Sequence, residues 1–187
     1  SLTADDMNLS ALGLGGLTYG LSTVEMAAAY ASFANGGVYT KPRFFTKILD
    51  HNGKVLIDNE PETKQVLKDS TAFLLTDAMS ESMKSNRKFT RPGVSINSTS
   101  TRAALTGMTA AGKSGTTTSN NDVWFVGYTP YYTAGIWGGC DNNQKLKHGG
   151  VNNGGTTFHK DIWRNIMNRV HEGLSDPGFA VPDSIET

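Results

Sequence analysis

The residues best suited to chemistry lie between positions 107 and 118. There Ala110-Ala111-Gly112-Lys113-Ser114-Gly115-Thr116-Thr117 sets a lysine among hydroxyls and glycines. Three readings of this segment compete. By letters, residues 107–114 fit G-x-x-x-x-G-K-S, the loop that cradles nucleotide phosphates. Such a loop needs an apolar strand before it and a helix after it, because the helix N-terminus holds the phosphates. Residues 98–102 are polar, and Gly115-Thr116-Thr117-Thr118 is a poor helix former. Only 73 residues follow Ser114, too few for a nucleotide-binding sheet. The second reading is a plain strand with one exposed lysine. Glycine weakens a strand interior unless something must approach the backbone, and another strand glycine follows in Trp124-Phe125-Val126-Gly127-Tyr128. The third reading is an edge strand that grips a carboxylate. Lys113 offers a point charge, Ser114 and Thr116 offer hydroxyl donors, and Gly115 lets a substrate lie along the strand. The N–H of Thr116 is then available to a developing oxyanion.

Several elements must position that strand. Ser22-Thr23-Val24-Glu25 is a capping box opening a helix. Met26, Tyr30 and Phe33 recur along that helix beside Ala27, Ala31 and Ala34, and Asn35-Gly36-Gly37 stops it. Upstream, Gly13-Leu14-Gly15-Gly16 reads as a loop. A hairpin is expected from residues 44–49 and 55–57, joined by Asp50-His51-Asn52-Gly53. A second helix starts near Asp69 or Ser70, with Phe73, Leu74, Ala78, Met79 and Met83 on one face, and ends in the basic stretch 84–91. Residues 93–107 read as loop. Three antiparallel strands follow within 108–118, 123–128 and 132–137, linked by short connections. After a Gly- and Asn-rich loop, Ile162, Trp163, Ile166, Met167 and Val170 mark a last helix that Gly173 stops. The order predicts an α+β fold, an antiparallel sheet covered by helices.

Composition narrows the function classes. The chain has 187 residues, 37% hydrophobic and 18% charged, enough for a core and too apolar for disorder. Seventeen basic and seventeen acidic residues cancel, so no global field exists to hold a nucleic-acid backbone. The 21 glycines are about 11% of the chain, against roughly 7% usually. They point to turns and close backbone approaches. Cys140 is the lone cysteine, which rules out an internal disulfide or thiolate cluster. No apolar run reaches the roughly 18 residues of a membrane span. The polar start Ser1-Leu2-Thr3-Ala4-Asp5-Asp6 is that expected of a piece of a longer protein.

Lys113-Ser114-Gly115 resembles the third signature of the penicillin-binding proteins and serine β-lactamases. Residues 20–42, from Gly20-Leu21-Ser22 to Thr40-Lys41-Pro42, are similar to the helix before the hairpin in class A (bifunctional) penicillin-binding proteins. Residues 111–117 and 122–130 resemble that family's third and fourth strands, and the helix around Trp163 fits as well. The likeness runs over roughly residues 9–170. It implies a serine D,D-transpeptidase: a serine attacks the penultimate D-Ala carbonyl of a stem peptide, D-Ala leaves, and an amine on a neighbouring stem resolves the acyl-enzyme. β-Lactams acylate the same serine. The resemblance assigns Lys113 and the Thr116 N–H (oxyanion hole) to catalysis, and Ser114, Gly115 and Thr116 to substrate binding. No metal or cofactor is implied. The implied partners are stem peptides ending in D-Ala-D-Ala, β-lactams and the N-terminal remainder of the same domain. The implied location is the extracytoplasmic face of a bacterial membrane, with the anchor outside this chain.

The family's S-x-x-K and S-x-N motifs have only weak counterparts here. Ser85-Asn86-Arg87-Lys88 and Ser95-Ile96-Asn97 fit by letters, as does Ser119-Asn120-Asn121. A nucleophilic Ser-x-x-Lys needs a buried, apolar helix that desolvates the lysine, whereas this segment is basic and polar. Only 28 positions separate Ser85 from Lys113, too few for the intervening helices. Residues 1–187 are therefore expected to be the C-terminal portion of one transpeptidase domain, inactive alone, with both motifs before Ser1. A non-catalytic peptidoglycan-binding module on the same fold is the alternative. The six cations from Lys84 to Lys113 (Lys84, Arg87, Lys88, Arg91, Arg102, Lys113), with no acid among them, read as a solvated loop or as a steering field. His51, His148, His159 and His171 lack ligand spacing, which favours surface or capping roles. Trp124 and Tyr128 suit either strand core or a cleft wall.

Overall fold

The computed structural model describes residues 2–84, 88–91, 94–117, 119–146 and 157–186, with backbone only for 88–91 and 94–97. A one-turn helix, α1 (Leu9–Gly13), occupies part of the expected glycine loop. Helix α2 (Thr23–Ala34) starts at the capping box: the Glu25 N–H donates to Ser22 Oγ at 3.2 Å and the Ser22 N–H to Glu25 Oε2 at 2.8 Å. The Ser22 N–H, and after it the Ser22 hydroxyl at 2.9 Å, donate to Glu25 Oε2 and hold its carboxyl down at about 2. The stop is as read. Gly37 has φ +84°, and a Cβ there would lie 2.2 Å from the Leu67 carbonyl oxygen, so both its conformation and its surroundings require glycine.

Strand β1 (Val38–Thr40) follows. The expected hairpin is β2 (Lys47–Leu49) and β3 (Val55–Asp58), antiparallel. Asp50 Oδ1 accepts the Asn52 and Lys54 N–H groups in its turn. Strand β4 (Thr63–Gln65) returns to pair with β1.

Helix α3 (Asp69–Glu81) forms where predicted but buries a different face. Leu74 and Ala78 are exposed and Phe73 and Met79 half-buried, while the buried row is Ala72, Thr76 and Ser80, continued by Met83, the one expected residue that is fully in the core. Small side chains let this helix approach the sheet closely, and the Thr76 hydroxyl bonds both Ala72 O and the Tyr128 hydroxyl at 2.8 Å. Where a loop was expected, β5 (Lys88–Arg91) and β6 (Val94–Asn97) form an antiparallel ladder. The charges of this stretch masked two strand signals: the Pro92-Gly93 turn dipeptide and the alternation of Val94 and Ile96 with polar residues.

The central sheet is β7 (Ala111–Thr116), β8 (Asp122–Tyr128) and β9 (Thr133–Gly139), antiparallel in that order. Residues 111–116 are extended, so no helix follows Lys113 to receive phosphates, and the nucleotide reading falls. Tyr128 faces one side and packs on Tyr30 and Phe33 of α2, with ring centroids 6.5 Å apart in each case. Phe125 faces the other side and meets Trp163 of α4 (Phe158–Val170) edge to face, with centroids 5.1 Å apart. The sheet is thus sandwiched by α2 and α3 below and α4 above, the layering that the sequence predicts.

Helix α4 splits its apolar residues into two rows. His159, Trp163 and Met167 are buried at helical spacing, whereas Ile162, Ile166 and Val170 are exposed. Of the four histidines, His171 has the capping role: its Nδ1–H donates to Met167 O at 2.6 Å, leaving Nε2 to accept from the Thr129 hydroxyl at 2.8 Å. His159 contradicts the surface reading. It is fully buried, and neither ring nitrogen has a partner among the described residues. The apolar neighbours on its row explain the error, because spacing ranked the isoleucines above a histidine.

Burial holds the His159 ring neutral and pushes its pKa down to about 4. An unfolded chain therefore takes up this proton more readily than the folded one. Stability should fall as pH drops from about 6.5 to about 4, by about 3 kcal/mol from this residue. His159→Leu is expected to remove that portion of the slope. Urea unfolding of both proteins at pH 7 and pH 4 tests this, since carboxylate contributions are common to the two. Equal slopes would refute the assignment.

Candidate active site

Among the described residues, strand β7 pairs along one side only, with β8. Its pairing sets Lys113 opposite Val126, Ser114 opposite Phe125, Gly115 opposite Trp124 and Thr116 opposite Val123. The hydrogen-bond phase follows from both ends. The Thr117 N–H donates to Asp122 O on the β8 side at 3.1 Å. From the opposite side, Ser100 Oγ donates to Gly112 O at 3.4 Å. With a period of two, residues 113, 115 and 117 address β8, whereas Gly112, Ser114 and Thr116 turn their N–H and C=O groups to the open edge. Lys113 Nζ donates to Ser114 O on that same edge at 2.6 Å.

Side chains alternate oppositely. By register with Phe125, Ser114 lies on the α4 face and Lys113 on the face of α2 and α3. The Lys113 side chain is exposed, and its ammonium reaches round to the open edge. The Ser114 hydroxyl donates to Thr99 Oγ1 at 3.3 Å. Ser114 and Thr116 thus face the open edge through their backbone groups and Lys113 reaches it through its ammonium, whereas the backbone of Gly115 addresses β8.

The two glycines of β7 differ in cause. A Cβ on Gly112 would lie 2.8 Å from Phe125 Cζ and 2.9 Å from Val126 O, so packing alone demands glycine there. A Cβ on Gly115 would meet only Trp124 Cβ, at an ordinary 3.4 Å. No described residue requires glycine at 115. Trp124 shares the Lys113 face and is half-buried, whereas Tyr128 is core.

The positive run around the site is partly neutralised. Arg102 makes a bidentate pair with Asp161 (Nε–Oδ1 2.9 Å, Nη2–Oδ2 2.7 Å), and Arg164 Nη2 reaches Asp161 Oδ1 at 3.3 Å. The Arg102 guanidinium holds the Asp161 carboxyl below its usual range. Lys84 pairs with Glu81. Sequence reasoning missed one cation. Lys160 on α4 donates from Nζ to Thr99 O at 2.7 Å. Burial first, then Lys113 and Arg102, push its pKa down. No local motif marks it, because it lies 47 positions from Lys113.

Of the rejected motif matches, Ser85 lies outside the described residues. Ser95-Ile96-Asn97 lies in β6. Ser119-Asn120-Asn121 belongs to the β7–β8 turn, where Asn120 has φ 56° and Asn121 Nδ2 donates to Asn143 O at 2.9 Å.

A helix-sandwiched antiparallel sheet with a Lys-Ser-Gly-Thr open edge is an α+β domain of the transpeptidase type. Residues 5–168 match the model of the penicillin binding protein transpeptidase domain. The chain is 33% identical over 181 residues to penicillin-binding protein 1A of Clostridium acetobutylicum, covering 97% of this chain and 20% of that protein. Among solved structures it is similar to the PonA1 protein from Mycobacterium tuberculosis in complex with penicillin V (TM-score 0.77, 26% identity, 98% of this chain and 47% of that one). It is also similar to penicillin-binding protein 1A from Haemophilus influenzae (TM-score 0.74, 26% identity, 92% and 29%). The chain belongs to the transpeptidase-domain family of penicillin-binding proteins. It spans about a fifth of the length of the curated relatives it matches.

Proposed function

We propose that this chain supplies the carboxylate-gripping and oxyanion side of a serine D,D-transpeptidase that cross-links peptidoglycan stem peptides and is acylated by β-lactams. The observation that carries the proposal is the open edge of β7 on a chain of this family. Lys113 and Ser114 present a charge and a hydroxyl for the terminal carboxylate of a D-Ala-D-Ala stem or a β-lactam. Gly115 leaves the strand bare for the substrate backbone. The outward Thr116 N–H stabilises the oxyanion as the serine oxygen adds to the scissile carbonyl. D-Ala then departs with the serine proton, and a neighbouring stem amine displaces the serine. The serine and its activating lysine come from a part of the protein outside the described residues, as do the S-x-N motif and the membrane anchor. The active domain faces the extracytoplasmic side.

Labelled penicillin with the full-length protein tests this. Intact-mass analysis is expected to show one acyl adduct, mapped to a serine outside residues 1–187, and none on the 187-residue chain alone. No adduct on the full-length protein would favour a non-catalytic peptidoglycan-binding module. An adduct at Ser85 would locate the nucleophile in this chain and overturn the division.

A further inference from the structure

Thr99 ties two elements together beside the open strand. Its carbonyl oxygen accepts from Lys160 Nζ at 2.7 Å, and its hydroxyl accepts from Ser114 Oγ at 3.3 Å. The next residue, Ser100, is fully buried and donates to Gly112 O. Residues 99–100 thus brace the β7 edge on both sides of Lys113, and α4 holds the brace through one ammonium. Asp161, the acid next to Lys160 in sequence, is engaged by Arg102 and Arg164. The Lys160 ammonium is held instead on the Thr99 carbonyl. The half-buried position weakens solvent screening of that charge. Burial is the first cause of its lowered pKa, and the positive charges of Lys113 and Arg102 add to it.

We propose that Lys160 is a positioning and specificity-determining residue: held on Thr99, it orients the Thr99–Ser114 hydroxyl pair and adds a second positive charge beside Lys113, so that the site selects substrates with a free carboxylate. This rests on the carboxylate-gripping role given above to Lys113 and Ser114. Two like charges near one strand edge oppose each other until an anion arrives between them. Carboxylate binding relieves that repulsion, and an uncharged ester does not. Lys160 acts through Thr99 and through its field, without contacting the reacting carbonyl, so it should govern binding more than the acylation step.

The test compares acylation of the full-length protein by benzylpenicillin and by its methyl ester. Lys160→Gln is expected to weaken the saturable binding step for benzylpenicillin about five- to tenfold, with the limiting acylation rate changed less than twofold and the ester unaffected. Lys160→Arg should restore most of the loss. Thr99→Ala, which keeps the carbonyl that Lys160 grips, provides an independent variant and should weaken benzylpenicillin selectively by about threefold. Equal losses for acid and ester, or unchanged selectivity in both Lys160→Gln and Thr99→Ala, would overturn the inference. Lys113→Ala separates it from the reading on which it rests. If Lys113→Ala loses carboxylate selectivity while Lys160→Gln does not, only the role of Lys160 fails. If Lys113→Ala retains full selectivity, the carboxylate strand itself has been misassigned.

Discussion

Lys113→Ala in the full-length protein is expected to slow acylation by benzylpenicillin about a hundredfold. Lys113 is exposed, its ammonium is on the Ser114 carbonyl at the open edge of β7, and the Ser114 hydroxyl donates to Thr99 on the α4 face. Alanine removes the point charge that the carboxylate would meet and leaves β7 paired to β8 through its backbone. Truncating one member of a desolvated charge pair costs roughly 2–5 kcal/mol. Exposure of the lysine holds the effect to the lower half of that range, about 3 kcal/mol. Lys113→Arg should recover only part of the rate, because a planar fork replaces a compact ammonium at a short strand edge. A time course of adduct formation at several penicillin concentrations measures the second-order constant. A value for Lys113→Ala within threefold of the unsubstituted protein would remove Lys113 from the site.

The largest structural loss is expected from Trp163→Ala, about 3–5 kcal/mol. Trp163 has no exposed surface and stacks edge to face on Phe125. It lies so close to β8 that a Cβ on Gly127 would be 2.7 Å from its Cζ2. Its Nε1–H donates to Ala134 O at 3.1 Å, so one side chain fastens α4 to both β8 and β9. Alanine would leave a ring-sized cavity against a glycine that cannot fill it, and would strip a carbonyl of its partner. Because α4 also carries Lys160, loosening this contact should impair acylation as well as stability. Denaturant unfolding followed by intrinsic fluorescence and circular dichroism reads the loss. A change below 1 kcal/mol would mean that α4 is anchored mainly elsewhere.

Gly127 and Gly115 show how far composition alone could go. A glycine excess pointed to close backbone approaches, and both glycines are strand-interior. Only packing separates them: Gly127 makes room for Trp163, and Gly112 for Phe125, whereas Gly115 has no described neighbour that requires it. The α3 face shows the opposite limit. Hydrophobic periodicity selected Met83, which is buried, but also Leu74 and Ala78, which are exposed, and it passed over Ala72, Thr76 and Ser80 on the buried row. Close approach to a sheet favours small volume, and the Thr76 hydroxyl finds its partner on Tyr128, 52 positions away. No local pattern carries that pairing.

What the sequence by itself determined is what short-range chemistry dictates. The Ser22–Glu25 capping box, the Asp50–Gly53 turn, the three antiparallel strands and the Lys113-Ser114-Gly115-Thr116 run are all local, and each followed from residue type and spacing. The family likeness was legible for the same reason, since its motifs are contiguous. Tertiary structure alone decided which edge of β7 stays open and that the Thr116 N–H faces it. It also decided that Arg102 is neutralised by Asp161, that His159 is buried, and that Lys160 reaches Thr99, the partner of the Ser114 hydroxyl. Each of these joins residues far apart in the chain, or depends on which of two faces a neighbouring element covers. A strand or helix pattern states that two faces exist, and only packing chooses between them.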